Sequence, residues 1–319
     1  MQDHSPTWRQ SCQVRIEVMS LLKILILAIV QGFAELLPVS SSAHVVVAEK
    51  LMGLDPASPQ MTLVLVMLHT GTMFAVIVYF WAQWKRAYFT TADAFKRFAI
   101  RAVWATLLTA LVGYPLQKLV AHLAFPGAPK AQIEDLFGRL DLVAYALFAV
   151  GLLILWAGLS GRDAEAAATN AYERSVARSG DNVTFAQSGW MGAVQGLSLP
   201  FRGFSRSGST ISAGLLAGAN RERAERFSFA LAVILTPAVV GREALRLLKA
   251  SHEAAAAGAQ LDLHGSVVAA LLGMVFAFLA GLLALRWLSA WLENGRWYLF
   301  GIYCLLASVV VFTLHYRGY

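Results

Sequence analysis

Two short polar stretches, each set inside an otherwise apolar run, carry residue types that suit a phosphate ligand. The first reads Val30-Gln31-Gly32-Phe33-Ala34-Glu35-Leu36-Leu37-Pro38-Val39-Ser40-Ser41-Ser42-Ala43-His44. The second reads Val194-Gln195-Gly196, then Pro200, then Arg202-Gly203-Phe204-Ser205-Arg206-Ser207-Gly208-Ser209-Thr210. Gln31 and Glu35 are four apart, so on a helix they share a face and could jointly meet a metal ion or a phosphate. A carboxylate at membrane depth is costly unless used or paired, so Glu35 is read as functional, with a structural ion pair as its alternative. Gln31 serves the site or simply caps broken backbone. Of Ser40, Ser41 and Ser42, one suffices as a helix cap, and three in a row leave at least one to face a ligand. His44, one turn further on, is expected to carry a proton or touch phosphate.

Arg206 is the sharpest residue of the second stretch, because its planar fork suits bidentate phosphate binding, whereas a structural role would need a buried carboxylate partner. Gly203 and Gly208 let backbone approach a ligand closely, and a helix starting near Ser209 offers N–H groups to an anion. The residues expected to bind phosphate are therefore Ser40, Ser42, Gly203, Ser205, Ser207, Gly208, Ser209 and Thr210. Phosphoryl transfer needs charge neutralisation, an in-line nucleophile and a proton handler. Arg206 and the amides from Ser207 to Thr210 are expected to clamp phosphate, Glu35 with Gln31 to hold a metal ion or activate the nucleophile, and His44 to move a proton. Ser41, through a phosphoserine, and a metal-activated water both remain open as nucleophile. His69, in His69-Thr70-Gly71-Thr72, stays open between the site and packing.

Positioning these groups falls to membrane helices. Of the 319 residues, 58% are hydrophobic and only 14% charged, with a mean hydropathy of +0.59, more apolar surface than one soluble core hides. The net charge of +7 sits in short clusters between apolar spans, which fits membrane topology and argues against nucleic acid. Cys12 and Cys304 lie far apart, so neither a disulfide framework nor a zinc site is indicated, and Cys304 reads as packing. Six runs are long enough to cross a bilayer: Met61 to Trp81, Ile100 to Phe125, Leu140 to Leu159, Phe227 to Leu248, Ser266 to Leu285 and Trp297 to Leu314. Leu21 to Gly53 and Trp190 to Ala219 are broken by Pro38 and Pro200 and read as re-entrant hairpins, tolerated where protein or a polar cavity satisfies the backbone.

The fold expected is an all-α integral membrane protein, a polytopic bundle of two inverted repeats, each a re-entrant hairpin plus three transmembrane helices. The repeats run 19–160 and 189–319, with a polar connector over 161–188 and a polar tail over 1–18; Met19-Ser20-Leu21 opens an apolar run, making Met19 a candidate start. Basic residues concentrate in the loops around 85–101, 162–178, 221–226 and 286–296. That side is expected to be cytoplasmic, with both termini outside.

The two motifs resemble those of the bacterial undecaprenyl-diphosphate phosphatases of the bacitracin-resistance type. Their first signature, a Glu or Gln, three residues, a Glu, then Leu-Pro-Val-Ser-Ser and a histidine, is similar to Gln31 through His44. Their second, Pro-Gly-x-Ser-Arg-Ser-Gly-x-Thr, is similar to Gly203 through Thr210, and the likeness extends from Met19 over nearly the whole chain. Two departures stand out: Phe201 and Arg202 separate Pro200 from Gly203, and Ala43 replaces a common glycine. Arg202 thereby becomes an additional candidate phosphate contact. The resemblance implies hydrolysis of undecaprenyl diphosphate to undecaprenyl phosphate, the carrier of cell-wall precursors, and bacitracin resistance. It further implies a divalent cation, Mg2+ or Ca2+, and an inner-membrane protein whose site faces the periplasm. The expected partners are the polyprenyl diphosphate and membrane lipids, with a second copy of the chain as a candidate. The rival is a transporter flipping the same lipid unhydrolysed, which needs the arginine and helix ends but no acid–base and nucleophile set.

Overall fold

The structure is a computed structural model that describes residues 20–56, 58–124, 136, 138–179, 182–256, 263–292 and 296–318. The tail over 1–18, Met19 and Cys12 lie outside the described residues. The chain folds as α1 (Leu21–Leu36), α2 (Ser41–Leu51), α3 (Pro59–Tyr88), α4 (Ala92–Ala124), α5 (Leu140–Ser179), α6 (Phe185–Ser198), α7 (Arg206–Leu216), α8 (Arg221–Ala256), α9 (Leu263–Leu292) and α10 (Tyr298–Tyr316). Six segments are long and apolar enough to cross a membrane: Gln60–Tyr88, Ala92–Ala124, Leu140–Ser160, Arg221–Glu253, His264–Arg286 and Tyr298–Tyr316. Each overlaps one of the six runs found in the sequence. Large apolar side chains such as Leu111, Leu123, Trp156, Leu283 and Leu306 are exposed along them, as suits a lipid-facing surface. The chain is a multi-pass membrane protein.

The stretch 161–179, expected as a polar connector, continues α5 as helix. Its alanine-rich composition explains this, since alanine loses no side-chain entropy in a helix and has the highest helix propensity. Thr184 and Gln187 then form a capping box that starts α6, fixing where the chain turns back.

Two breaks interrupt the short helices. Leu37 ends α1 in an extended conformation, φ −84° and ψ 146°, which a following proline imposes by steric clash. Ser40 then adopts a left-handed φ of 67°, a conformation few non-glycine residues take outside functional sites. In the second break Gly203 sits at φ 102°; a Cβ there would lie 2.5 Å from the carbonyl oxygen of Val143 on α5. Glycine is required by both torsion and space. Gly208, at the start of α7, passes so close to the first break that a Cβ would stand 2.9 Å from the Pro38 carbonyl oxygen. The two breaks therefore meet.

What brings them together is an exchange of helices. α1 packs on α9, and α6 packs on α4, so the first helix of each short pair crosses to the other half of the chain. The Gln-Gly dipeptides make both contacts possible. A Cβ on Gly32 would come within 2.5 Å of the Ala280 Cβ on α9, and one on Gly196 within 2.8 Å of the Thr109 carbonyl oxygen on α4. Gly192 meets the backbone of Ala105 in the same way. Small residues at such seams permit the close backbone approach on which helix association in a membrane depends. α5 with α10, and α3 with α8 and α9, complete the bundle.

Candidate active site

Glu35, one residue before the end of α1, is the hub. Its Oε1 accepts a hydrogen bond and ion pair from Arg206 Nη2 at 3.0 Å, joining the two motifs. Its Oε2 accepts from Ser41 Oγ at 2.5 Å and from Gln31 Nε2 at 2.8 Å. His69 Nε2 stands 3.3 Å from the same oxygen and 3.5 Å from Ser41 Oγ. Gln31, Glu35 and Ser41 are buried, whereas the side chains of His69 and Arg206 keep 25% and 27% of their exposure. A buried carboxylate thus forms the floor, and two accessible cationic or potentially cationic groups form the rim.

Hydrogen-bond logic sets the ring of His69. The Leu65 carbonyl, 2.8 Å from Nδ1, can only accept, so Nδ1 carries a proton. Nε2 is therefore the nitrogen turned towards Glu35 and Ser41. When the ring is neutral Nε2 accepts a proton, and when charged it donates to the carboxylate. The Ser41 hydroxyl consequently faces two acceptors, Glu35 at the shorter distance and His69 at the longer.

The other expected residues fall into distinct places. Ser40 occupies the cap position of α2, but its side chain makes no cap bond and lies 3.3 Å from Ser42 Oγ. Ser42 Oγ in turn accepts from the Gly203 N–H at 3.5 Å, bridging the two breaks. Ser205 caps α7, its Oγ accepting from the Gly208 N–H at 3.1 Å, and its carbonyl takes the Ser209 N–H. The helix accordingly begins at Arg206, three residues before the start expected from the sequence. The first amides of α7, at Arg206 and Ser207, have no intrahelical acceptor and lie directly after the break, and a helix N-terminus of this kind suits an anion. Ser209 and Thr210 are buried, and both hydroxyls donate to the Arg206 carbonyl, at 3.1 and 2.8 Å. They fix the turn that carries the guanidinium.

His44 is not joined to Glu35. Its Nδ1 lies 2.8 Å from the Ser40 carbonyl oxygen and its Nε2 2.7 Å from the Tyr303 hydroxyl, with the two rings stacked. His69, which the sequence left between site and packing, holds the position at the carboxylate. An intramembrane polar residue in the middle of a span was the signal that could have found it. Tyr303 had no such signal, since aromatic residues are common along spans. Gln195, the counterpart of Gln31, does not reach the site: its Nε2 donates to Thr109 Oγ1 at 3.1 Å on α4. Cys304 Sγ lies 3.7 Å from the Pro38 carbonyl oxygen, so the cysteine also satisfies a carbonyl freed by the break.

Among the described residues no three His, Cys, Asp or Glu side chains gather as a ligand set. A hard divalent cation needs oxygen instead, and the buried Gln31 Oε1 accepts no hydrogen bond beside the Glu35 carboxylate. That donor pair fits a cation of the kind held by one carboxylate, substrate phosphates and water.

The model of the family "Bacitracin resistance protein BacA" matches residues 24–310. The chain is 54% identical to "Undecaprenyl-diphosphatase 2" of Acinetobacter baylyi over 296 residues, covering 93% of this chain and 98% of that protein. It is 34% identical to "Undecaprenyl-diphosphatase 2" of Burkholderia orbicola, over 93% and 99% of the two chains. With "Undecaprenyl-diphosphatase" of Desulfatibacillum aliphaticivorans it shares 32% identity over 92% and 99%. The two breaks that meet around Glu35 and Arg206 both lie inside the matched region, and the chain belongs to the bacitracin resistance protein BacA family.

Proposed function

We propose that the chain is an undecaprenyl-diphosphatase, releasing inorganic phosphate from undecaprenyl diphosphate and returning undecaprenyl phosphate to peptidoglycan synthesis. Bacitracin resistance follows, because less of the diphosphate that the antibiotic sequesters remains. The names of relatives aligned over nearly their whole length support this reading. The single observation that carries the chemistry is the Ser41 hydroxyl donated to a buried carboxylate that also holds Arg206.

Ser41 Oγ attacks the terminal phosphorus while its proton passes to Glu35. The bond from phosphorus to the bridging oxygen breaks, and undecaprenyl phosphate departs with that oxygen and the proton from Glu35. Water then attacks the phosphoserine, Glu35 takes its proton and returns it to Ser41 Oγ, and phosphate leaves. Arg206 exchanges its carboxylate partner for the transferred phosphoryl group, helped by the first amides of α7, and stabilises charge where it develops. His69, its Nδ1 tied to Leu65, presents Nε2 to the same proton path. A divalent cation held by Glu35 and Gln31 would supply further neutralisation of the diphosphate. The apolar helix faces receive the prenyl tail. The exchange of α1 and α6 between halves supports an inverted-repeat architecture, and the basic loops support an outward-facing site.

The test is phosphate release from undecaprenyl diphosphate by detergent-purified protein, with and without chelator, for wild type and Arg206→Ala. Chelator-sensitive release that Arg206→Ala abolishes in folded protein is expected. Folded wild type that releases no phosphate with Mg2+ or Ca2+ present overturns the reading. Acid-quenched turnover should show one phosphoryl group on the peptide containing Ser41; its absence during turnover would assign the attack to water.

A further inference from the structure

Tyr303 has no part in the mechanism above, yet it is the outer link of a chain of contacts that ends at Ser41. It lies on α10, is 45% exposed, and its hydroxyl stands 2.7 Å from Nε2 of His44 on α2. The two rings stack, with centroids 5.7 Å apart and planes 14° from parallel. His44 Nδ1 in turn lies 2.8 Å from the Ser40 carbonyl oxygen. Among the described residues Ser40 alone has a left-handed φ without being glycine. The residue after it is Ser41, whose Oγ donates to Glu35.

Hydrogen-bond logic gives this chain a direction. A carbonyl only accepts, so Nδ1 of His44 carries a proton; the neutral ring then has a bare Nε2, and the phenol is the donor that meets it. Tyr303 thus favours the tautomer that Ser40 can use, since the opposite one would set an Nδ1 lone pair against the carbonyl oxygen. That carbonyl also accepts from the N–H groups of Ala43 and His44, at 3.2 and 3.4 Å, and the imidazole bond is the shortest of the three. A left-handed non-glycine residue is strained and persists only where its surroundings hold it. The Ser40 side chain makes no cap bond, so the hold falls largely on its carbonyl.

α10 also touches the same turn at its start. Cys304, next after Tyr303, places Sγ 3.7 Å from the Pro38 carbonyl oxygen, so two consecutive residues bracket the segment from Pro38 to His44. α10 is itself seated on α5, where a Cβ on Gly301 would come within 2.6 Å of the Leu155 backbone nitrogen. In-line attack tolerates little displacement of the nucleophile. We propose that Tyr303, acting through His44, is a positioning residue for Ser41: it holds the Ser40 carbonyl, and with it the left-handed turn that aims the Ser41 hydroxyl. The inference rests on the phosphatase reading for the reaction it serves, but the His44 ring reports it without turnover.

The experiment measures kcat and KM for phosphate release from undecaprenyl diphosphate by wild type, Tyr303→Phe, His44→Ala, His44→Asn and the Tyr303→Phe/His44→Ala double variant. Thermal unfolding checks that each is folded. Ring-nitrogen NMR of histidine-labelled protein without substrate reads the tautomer of His44, whose signal is the one missing from His44→Asn. Tyr303→Phe keeps the stacked ring and loses the hydroxyl, so kcat should fall about three- to twentyfold while KM changes by less than about twofold. His44→Ala should fall at least as far, and the double variant no further. His44→Asn, whose amide can still donate to the Ser40 carbonyl, should recover part of that loss, which a proton-carrying role would not allow. The ring should hold its proton on Nδ1 in wild type and mix tautomers in Tyr303→Phe. A smaller fall in kcat, a loss confined to KM, a further loss in the double variant, His44→Asn no better than His44→Ala, or a tautomer that is wrong in wild type or unmoved in Tyr303→Phe overturns the inference. Wild type with the Tyr303-dependent ring but no phosphate release would refute the phosphatase reading alone.

Discussion

Replacing Glu35 by glutamine removes one charge while keeping size and shape, and the contacts around it fix what should follow. The carboxylate accepts from Arg206, Ser41 and Gln31, with His69 close by. An amide in its place can turn its oxygen to Arg206 and its NH2 towards Gln31 and Ser41. Gln31 can answer by flipping, because its Oε1 has no partner to lose. Most hydrogen bonds therefore survive, and what disappears is the buried charge paired with the part-exposed Arg206 and His69. The cost lies between that of an exposed pair and that of a fully buried one, about 1–3 kcal/mol, so the unfolding midpoint should fall by several degrees while the protein still folds. Catalysis loses the proton acceptor for Ser41, a role worth about 10²–10⁴ in rate. At about 1.4 kcal/mol per decade, the barrier should rise by roughly 3–5 kcal/mol. The assay is phosphate release at saturating undecaprenyl diphosphate, paired with thermal unfolding in the same detergent. A folded Glu35→Gln protein keeping more than about a tenth of wild-type kcat would refute the assignment of Glu35 as base.

The two histidines should separate. His69→Ala, beside the carboxylate, should lower kcat by about 10²-fold or more, whereas His44→Ala, bonded to Ser40 and Tyr303, should cost less; steady-state kinetics showing the opposite order would reassign the proton path. Arg206→Lys keeps charge but loses the fork, so kcat/KM should fall at least about tenfold, and a rate near wild type would show that charge alone suffices. Gly192→Val forces a branched side chain against the Ala105 backbone and should destabilise the α4–α6 seam by about 1–3 kcal/mol, read as a lower unfolding midpoint; an unchanged midpoint would mean the helices separate freely there.

The sequence by itself determined the compartment, the six crossing helices, the two breaks and the reaction class. Each follows from local chemistry: apolar length against bilayer thickness, proline against helix, and Arg, Glu and Ser where lipid tolerates none of them without use. It also singled out Glu35, Ser41, Gln31 and Arg206, which the structure brings into one cluster, because a duplicated broken helix is visible as a pattern. It could not say which of two histidines meets the carboxylate, because His44 lies nearer Ser41 in sequence and His69 reaches it from α3. Nor could it separate Gln31 from Gln195, identical in local context, one bonded to Glu35 and the other to Thr109 across a helix seam. The roles of Ser205, Ser209 and Thr210 in holding the first turn of α7 were equally invisible, since a serine beside an arginine looks the same whether it binds phosphate or backbone. Those distinctions depend on which distant helix lies opposite each side chain, and only the exchange of α1 and α6 between the two halves decides that.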